Sequence, residues 1–154
     1  MTLSDIKDVA TILGVVIALL ALINGLVEYI KQGAQKRAEH FLTIRKRLKE
    51  NDAFKHICAL LENDAPELIN VPFKDKRDFL GLFEEVAIGM NSGLIKLTVA
   101  HYMFGYDAIR CWESQHFWKG VSRDSIYWIV FKDFVKQMKE TEKAFRFRRS
   151  KFRF

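Results

Sequence analysis

From Val9 to Ile30 the chain reads VATILGVVIALLALINGLVEYI, and between Val9 and Val27 it carries no charged side chain. The polar side chains in that interval are Thr11 and Asn24. About 22 residues at about 1.5 Å rise give about 33 Å of helix, enough to cross a hydrocarbon layer of about 30 Å. The run predicts one transmembrane helix and makes whatever follows a domain tethered at a bilayer. A secretory signal would need a basic start, a shorter apolar region and a small-x-small cleavage site. The start is instead MTLSDIKD, with Asp5 and Asp8 against Lys7. A buried helix of a soluble protein would show polar interruptions every few residues, and this run shows almost none.

Mean hydropathy over the chain is close to zero, so the apolar excess is local, as in a single-span protein. Charge then orients the span. Residues 1–30 hold Asp5, Asp8 and Glu28 against Lys7. Residues 31–49 hold Lys31, Lys36, Arg37, Arg45, Lys46, Arg47 and Lys49 against Glu39. Basic residues stay on the cytoplasmic side of a span, which predicts a bacterial inner-membrane protein, N-terminus outside and C-terminal domain in the cytoplasm. The two cysteines, Cys58 and Cys111, lie far apart without zinc spacing and read as reduced thiols inside helices.

The remaining pattern is all-α. Residues 1–30 form a short N-terminus and the span, and 31–50 a basic juxtamembrane helical stalk carrying Phe41, Ile44 and Leu48 at helical spacing. Residues 51–142 form a bundle of about four helices. Asn51 or Asp52 caps AFKHICALLEN, and the loop NDAPELINVPF holds Pro66 and Pro72 with room for one helical turn. A helix from about Lys74 to Asn91 turns Phe79, Leu82, Phe83, Val86 and Met90 inward. It stops at Ser92-Gly93, with Gly93 suited to the left-handed position after a helix. The next helix runs through Gly105, which permits close approach of a neighbour. The last opens at Ser122 or Asp124 and carries Tyr127, Val130, Phe131, Phe134, Val135 and Met138 on its core side.

Three groups of residues suggest function. On a wheel of about 100° per residue, Ala10, Gly14, Ala18, Ala21, Asn24, Gly25 and Glu28 share one arc of the span. Small residues let membrane helices approach, and an asparagine can hydrogen-bond across the contact, so this face is expected to self-associate or to meet another membrane protein. Glu84, Glu85, Asp107, Arg110, Trp112 and Glu113 form the second group, read as a structural polar network between two helices, with Asp107 and Arg110 placed for an i,i+3 ion pair. An acid/base site made of Glu84, Glu85, His101 and Asp107 is the competing reading, but the Glu-x-x-His spacing of di-iron bundles and the H-E-x-x-H motif are both absent. No cofactor or metal is expected. The third group is the tail: Lys143, Arg146, Arg148, Arg149, Lys151 and Arg153 interleave with Phe145, Phe147, Phe152 and Phe154. Anionic lipid would take the cations on head groups and the rings in the interface. Single-stranded nucleic acid would take both on phosphates and bases. The lipid reading orders less chain, because the protein is already held at a membrane.

The segment DFLGLFEEVAIGMNSGLIKLTVAHYMFGYDAIRCWE resembles an uncharacterised bacterial family of small proteins with one N-terminal span. Its members share a phenylalanine and acidic cluster, a glycine turn, and an apolar helix with an internal glycine. That helix closes on a basic residue, a tryptophan and a glutamate, here Arg110, Trp112 and Glu113. The resemblance covers 79–113 well and 40–140 loosely. Where the family's turn is followed by acids, this chain has Leu94-Ile95-Lys96-Leu97, so no role of those acids carries over. The resemblance implies architecture and anchoring, and no activity. Together these readings predict a non-enzymatic interaction or effector protein. By analogy of architecture, phage defence or a toxin-like system would suit it. A membrane-tethered nucleic-acid binder using the tail is the alternative.

Overall fold

The computed structural model describes the backbone of residues 3–144 and the side chains of residues 12–144. The described residues are helical, without strands. Helix α1 runs unbroken over Leu3–Glu50, and its described apolar part is long and hydrophobic enough to cross a bilayer. The chain divides into two compact units, Met1–Lys36 and Arg37–Phe154. In the first, every large apolar side chain from Ile12 to Ile30 is at least 44 % exposed. None of the described apolar run is buried inside the protein. In a soluble protein such a helix would pack its apolar side; here no described residue covers it.

The second unit begins within α1. Phe41, Ile44 and Leu48 are fully buried, so the distal part of the stalk is one wall of the core. Asn51 then caps α2 (Asp52–Leu61), its Oδ1 accepting the Phe54 N–H at 3.1 Å. The proline-containing loop makes a single 3-10 turn, Pro66–Asn70. Helix α3 spans Phe73–Asn91 and ends as its sequence suggests. Gly93 adopts φ 70°, its N–H bonds to the Met90 carbonyl, and the Leu94 N–H reaches back to Gly89 at 2.9 Å. This is a glycine-stopped helix end, with the last carbonyls satisfied by the reversing chain.

The following helix is not regular. Helix α4 (Leu97–Ala100) passes into a π-helical segment, His101–Gly105, and then into α5 (Tyr106–Glu113). A Cβ on Gly105 would sit 3.1 Å from His101 Cδ2 and 3.5 Å from Met138 Sδ, so the missing side chain lets the widened turn lie against the last helix. That helix, α6 (Ile129–Ala144), starts later than its sequence signals suggest. Ser125 caps a 3-10 turn, Ile126–Trp128, before α6 begins. Tyr127 consequently stands 80 % exposed. This corrects its expected place in the core: a turn of three residues advances side chains by about 120°, not about 100°, and swings Tyr127 off the buried face.

The core is aromatic. Phe79 packs edge-on against Phe83 and Phe54, Phe83 lies on Phe131 and Phe134, and Trp112 and Trp118 meet edge-to-face at 5.6 Å. Such offset and T-shaped pairs add stabilisation beyond the area they bury.

Candidate functional site

The six polar-group residues do not close into one network. Glu85 of α3 pairs with Arg47 of α1, with His40 Nε2 at 4.0 Å. Glu84, its neighbour, accepts the backbone N–H of Phe131 in the first turn of α6. A carboxylate there suits the unpaired N–H groups and positive end of a helix. Burial outweighs that hydrogen bond and raises its pKa. Asp107 faces α1 and α2, near Lys49, Arg45 and Glu62, and burial raises its pKa as well. Instead of closing the i,i+3 pair, Arg110 donates to the Leu61 and Glu62 carbonyls at the end of α2, and its guanidinium lies 4.6 Å from the Tyr106 ring centroid. Glu113 binds Lys139 of α6 at 2.6 Å. Trp112 belongs to the aromatic core, with Arg123 stacked 5.1 Å from its ring. These contacts are spread over α1, α2 and α6 and do not meet at one point.

The competing acid/base set is distributed in the same way. Glu84 caps α6, Glu85 meets Arg47, Asp107 faces the cations of α1, and His101 sits in the π segment with a pKa lowered by burial. Among the described residues no three His, Cys, Asp or Glu side chains converge to hold a metal ion. An open groove of about 760 Å³ lies beside Arg47, Phe73, Glu84, Glu85 and Tyr127. A second, of about 660 Å³, runs along α6 beside Trp112, Ile126, Ile129 and Lys136.

Three positions that carry much of the local chemistry gave weak sequence signals. Asp64 adopts φ 48°, a left-handed conformation that aspartate tolerates better than most residues. Its carboxylate accepts from the Ser114 hydroxyl, from the Gln115 N–H at 3.0 Å and from the His116 N–H at 3.4 Å. Burial alone would raise its pKa, but these donors together hold it below the usual value. Lys76 is 2 % exposed. Its ammonium donates to the Lys119 carbonyl at 3.3 Å and lies 5.5 Å from the Phe117 ring, and burial pushes its pKa down. Arg45 donates to the Met103 carbonyl inside the π segment, where the widened turn offers an acceptor, and lies over the Phe104 ring. A lone aspartate in a loop or a lysine in a helix looks solvent-exposed in sequence; only the fold supplies their partners.

Contacts within the second unit also define its two ends. Phe41 meets Phe104 at 5.6 Å, while Arg45 and Lys49 face Asp107, so α1 and α5 run in the same direction. Arg47 and His40 flank Glu85, and Phe54, at the start of α2 just past the end of α1, meets Phe79 near the start of α3, so α3 runs back along α1. Phe131 touches Trp112, Met138 lies by Gly105, and Glu142 acts on His101, so α6 is antiparallel to α5. The chain therefore enters this unit at Arg37, and the described part leaves it at Ala144, at one and the same end. The α3–α4 turn lies there too. Exposed Lys143 is the described member of the tail group; Phe145, Arg146, Phe147, Arg148, Arg149, Lys151, Phe152, Arg153 and Phe154 lie outside the described residues.

On the span, a Cβ at Gly14 or Gly25 would meet nothing within 4 Å. Ala18, Ala21, Asn24 and Glu28 are exposed, and the side chain of Ala10 lies outside the described residues. Comparison with known protein families, with curated proteins and with solved structures finds no match to this chain.

Proposed function

We propose that this protein is a single-span, non-enzymatic interaction or effector protein of the bacterial inner membrane, its helical domain held at the cytoplasmic face. The observation that carries this reading is the contrast within α1. Its uncharged part leaves every described large apolar side chain uncovered, while its basic continuation is built into a closed aromatic core. The excess of Lys and Arg over residues 31–49 supports a cytoplasmic domain. Glu84 meets the start of α6 and Glu85 meets Arg47 of α1, so the candidate acid/base residues do not converge on one point, which favours a binding role over catalysis.

The span self-associates, or pairs with another membrane protein, through Ala10, Gly14, Ala18, Ala21, Asn24, Gly25 and Glu28. Its open glycine positions support this, since close backbone approach needs surface without side chains. The family resemblance over 79–113 agrees with anchoring, and a role in phage defence or a toxin-like system rests on architecture alone. The basic, aromatic tail contacts anionic lipid. Its exit at the end where the chain enters from the span favours lipid over single-stranded nucleic acid, the alternative partner. Purified full-length protein in detergent is expected to run as an oligomer that Gly14→Leu or Ala21→Leu dissociates. A monomer, or an oligomer indifferent to both substitutions, would remove the self-association. Salt-dependent binding of single-stranded RNA that is lost with residues 143–154 would select the alternative.

A further inference from the structure

The α3–α4 turn carries a small apolar group that the core does not use. Ile88 is 58 % exposed, Leu94 45 % and Leu97 40 %, with exposed Lys96 among them. The turn that displays them is firmly built. Gly89, which is buried, leaves room for Ile95, since a Cβ there would sit 2.9 Å from Ile95 Cδ1. The Leu94 and Ile95 N–H groups both bond to the Gly89 carbonyl, and Gly93 makes the left-handed reversal. Ile95 and Val99 are thereby fixed inward, while Leu94, Lys96 and Leu97 remain outside. A tight, anchored turn with aliphatic residues around a lysine is costly to leave in water.

We infer that this turn is a second membrane contact, in which Ile88, Leu94 and Leu97 enter the interfacial layer of an anionic bilayer and Lys96 meets its head groups. The inference rests on the anchored reading above. What selects lipid over a protein partner is position. The turn leads through α4 into the π segment, whose Phe104 packs on Phe41 at 5.6 Å, and the chain enters this unit at Arg37. Arg37 follows the end of the apolar run, Ile30, by only seven residues, about 10 Å of helix. The end of the domain bearing the turn is therefore tethered close to the bilayer whatever angle the two units adopt. Lys36, Arg37, Lys96 and Lys143 lie at that end and in the segment entering it, against Glu39, Glu140 and Glu142, and the sequence past Ala144 is basic without an acid. Apolar side chains beside lysines bind anionic interfaces by burial together with head-group attraction.

The test uses the full-length protein in bilayers of phosphatidylcholine with phosphatidylglycerol, carrying one nitroxide at a time on Leu94→Cys, Tyr127→Cys or Leu19→Cys. Native Cys111 is buried, and Cys58 is partly buried with its pKa pushed up to about 12, so neither competes strongly for the label at neutral pH. The expected result is that the Leu94 label is severalfold less accessible to a water-soluble nickel chelate than the Tyr127 label, while dissolved oxygen still reaches it. Equal nickel access at Leu94 and Tyr127, with the Leu19 label reading hydrocarbon, overturns this inference alone. A Leu19 label that reads water overturns the anchor and this inference together. A Leu94 label shielded from both reagents means that protein covers the turn, and this also overturns it. Repeating that case without residues 145–154 tells whether the cover is the chain's own tail or a second copy.

Discussion

Asp64 and Lys76 show how much of this fold depends on side chains whose sequence context is unremarkable. Asp64 gathers a hydroxyl and two backbone N–H groups from Ser114, Gln115 and His116, and so fixes the chain where it leaves α5. Asp64→Ala is expected to cost about 1–3 kcal/mol, because the part-buried Ser114 hydroxyl and His116 N–H lose their acceptor; denaturant unfolding in detergent measures it. Since the folded-state pKa of Asp64 is lowered, its stabilisation is present above the ordinary carboxylate value and is lost as pH falls through the lowered one. The variant should therefore lose less stability than the native chain on acidification. Lys76 has the opposite sense. Its folded pKa is lowered by burial, so the unfolded chain holds more protons in the alkaline range. Stability attributable to Lys76 rises as pH climbs from the lowered value toward about 10.4. Lys76→Met is expected to be neutral or stabilising at neutral pH and to remove that rise, as thermal unfolding at several pH values would show.

At the scale of elements, helix ends were legible and helix interiors less so. Asn51 as a cap and Gly93 as a left-handed stop are local chemistry, and both stand where the sequence puts them. Gly93→Ala is expected to cost about 1 kcal/mol, since alanine pays for φ 70° and glycine does not. Unfolding of the full chain checks it, with Gly81→Ala as the comparison, where an added Cβ meets open space. The π segment His101–Gly105 was invisible, because apolar spacing continues across one widened turn with little change in phase. Gly105 hinted at a close approach, and Met138 of α6 supplies it. The start of α6 was misread for a related reason: Ser122 and Asp124 are acceptable caps, but Ser125 is the residue that caps, and it opens the 3-10 turn Ile126–Trp128 ahead of α6. Pairing of the acidic residues was beyond local reading. Asp107 and Arg110 are neighbours on one helix, yet Arg110 turns to the end of α2 and Asp107 faces α1. Nothing in the intervening sequence indicates that the stalk folds into the core beside them.

For the whole molecule, the apolar run predicts the architecture more strongly than any motif predicts chemistry. One helix supplies both the uncovered apolar part and, in the second unit, Phe41, Ile44 and Leu48, which complete the core. The unit's entry at Arg37 and the end of its described chain at Ala144 share one end. Membrane contact, self-association and tail binding are therefore proposed on the same side, leaving the far end, with Ile126 and Tyr127, free for another partner. Protease treatment of inverted inner-membrane vesicles and of intact spheroplasts tests this arrangement most directly. The expected result is digestion of residues 37–154 in inverted vesicles and protection in spheroplasts, with the span retained in the membrane. Digestion from the outside, or recovery of the intact protein in the soluble fraction, would contradict it.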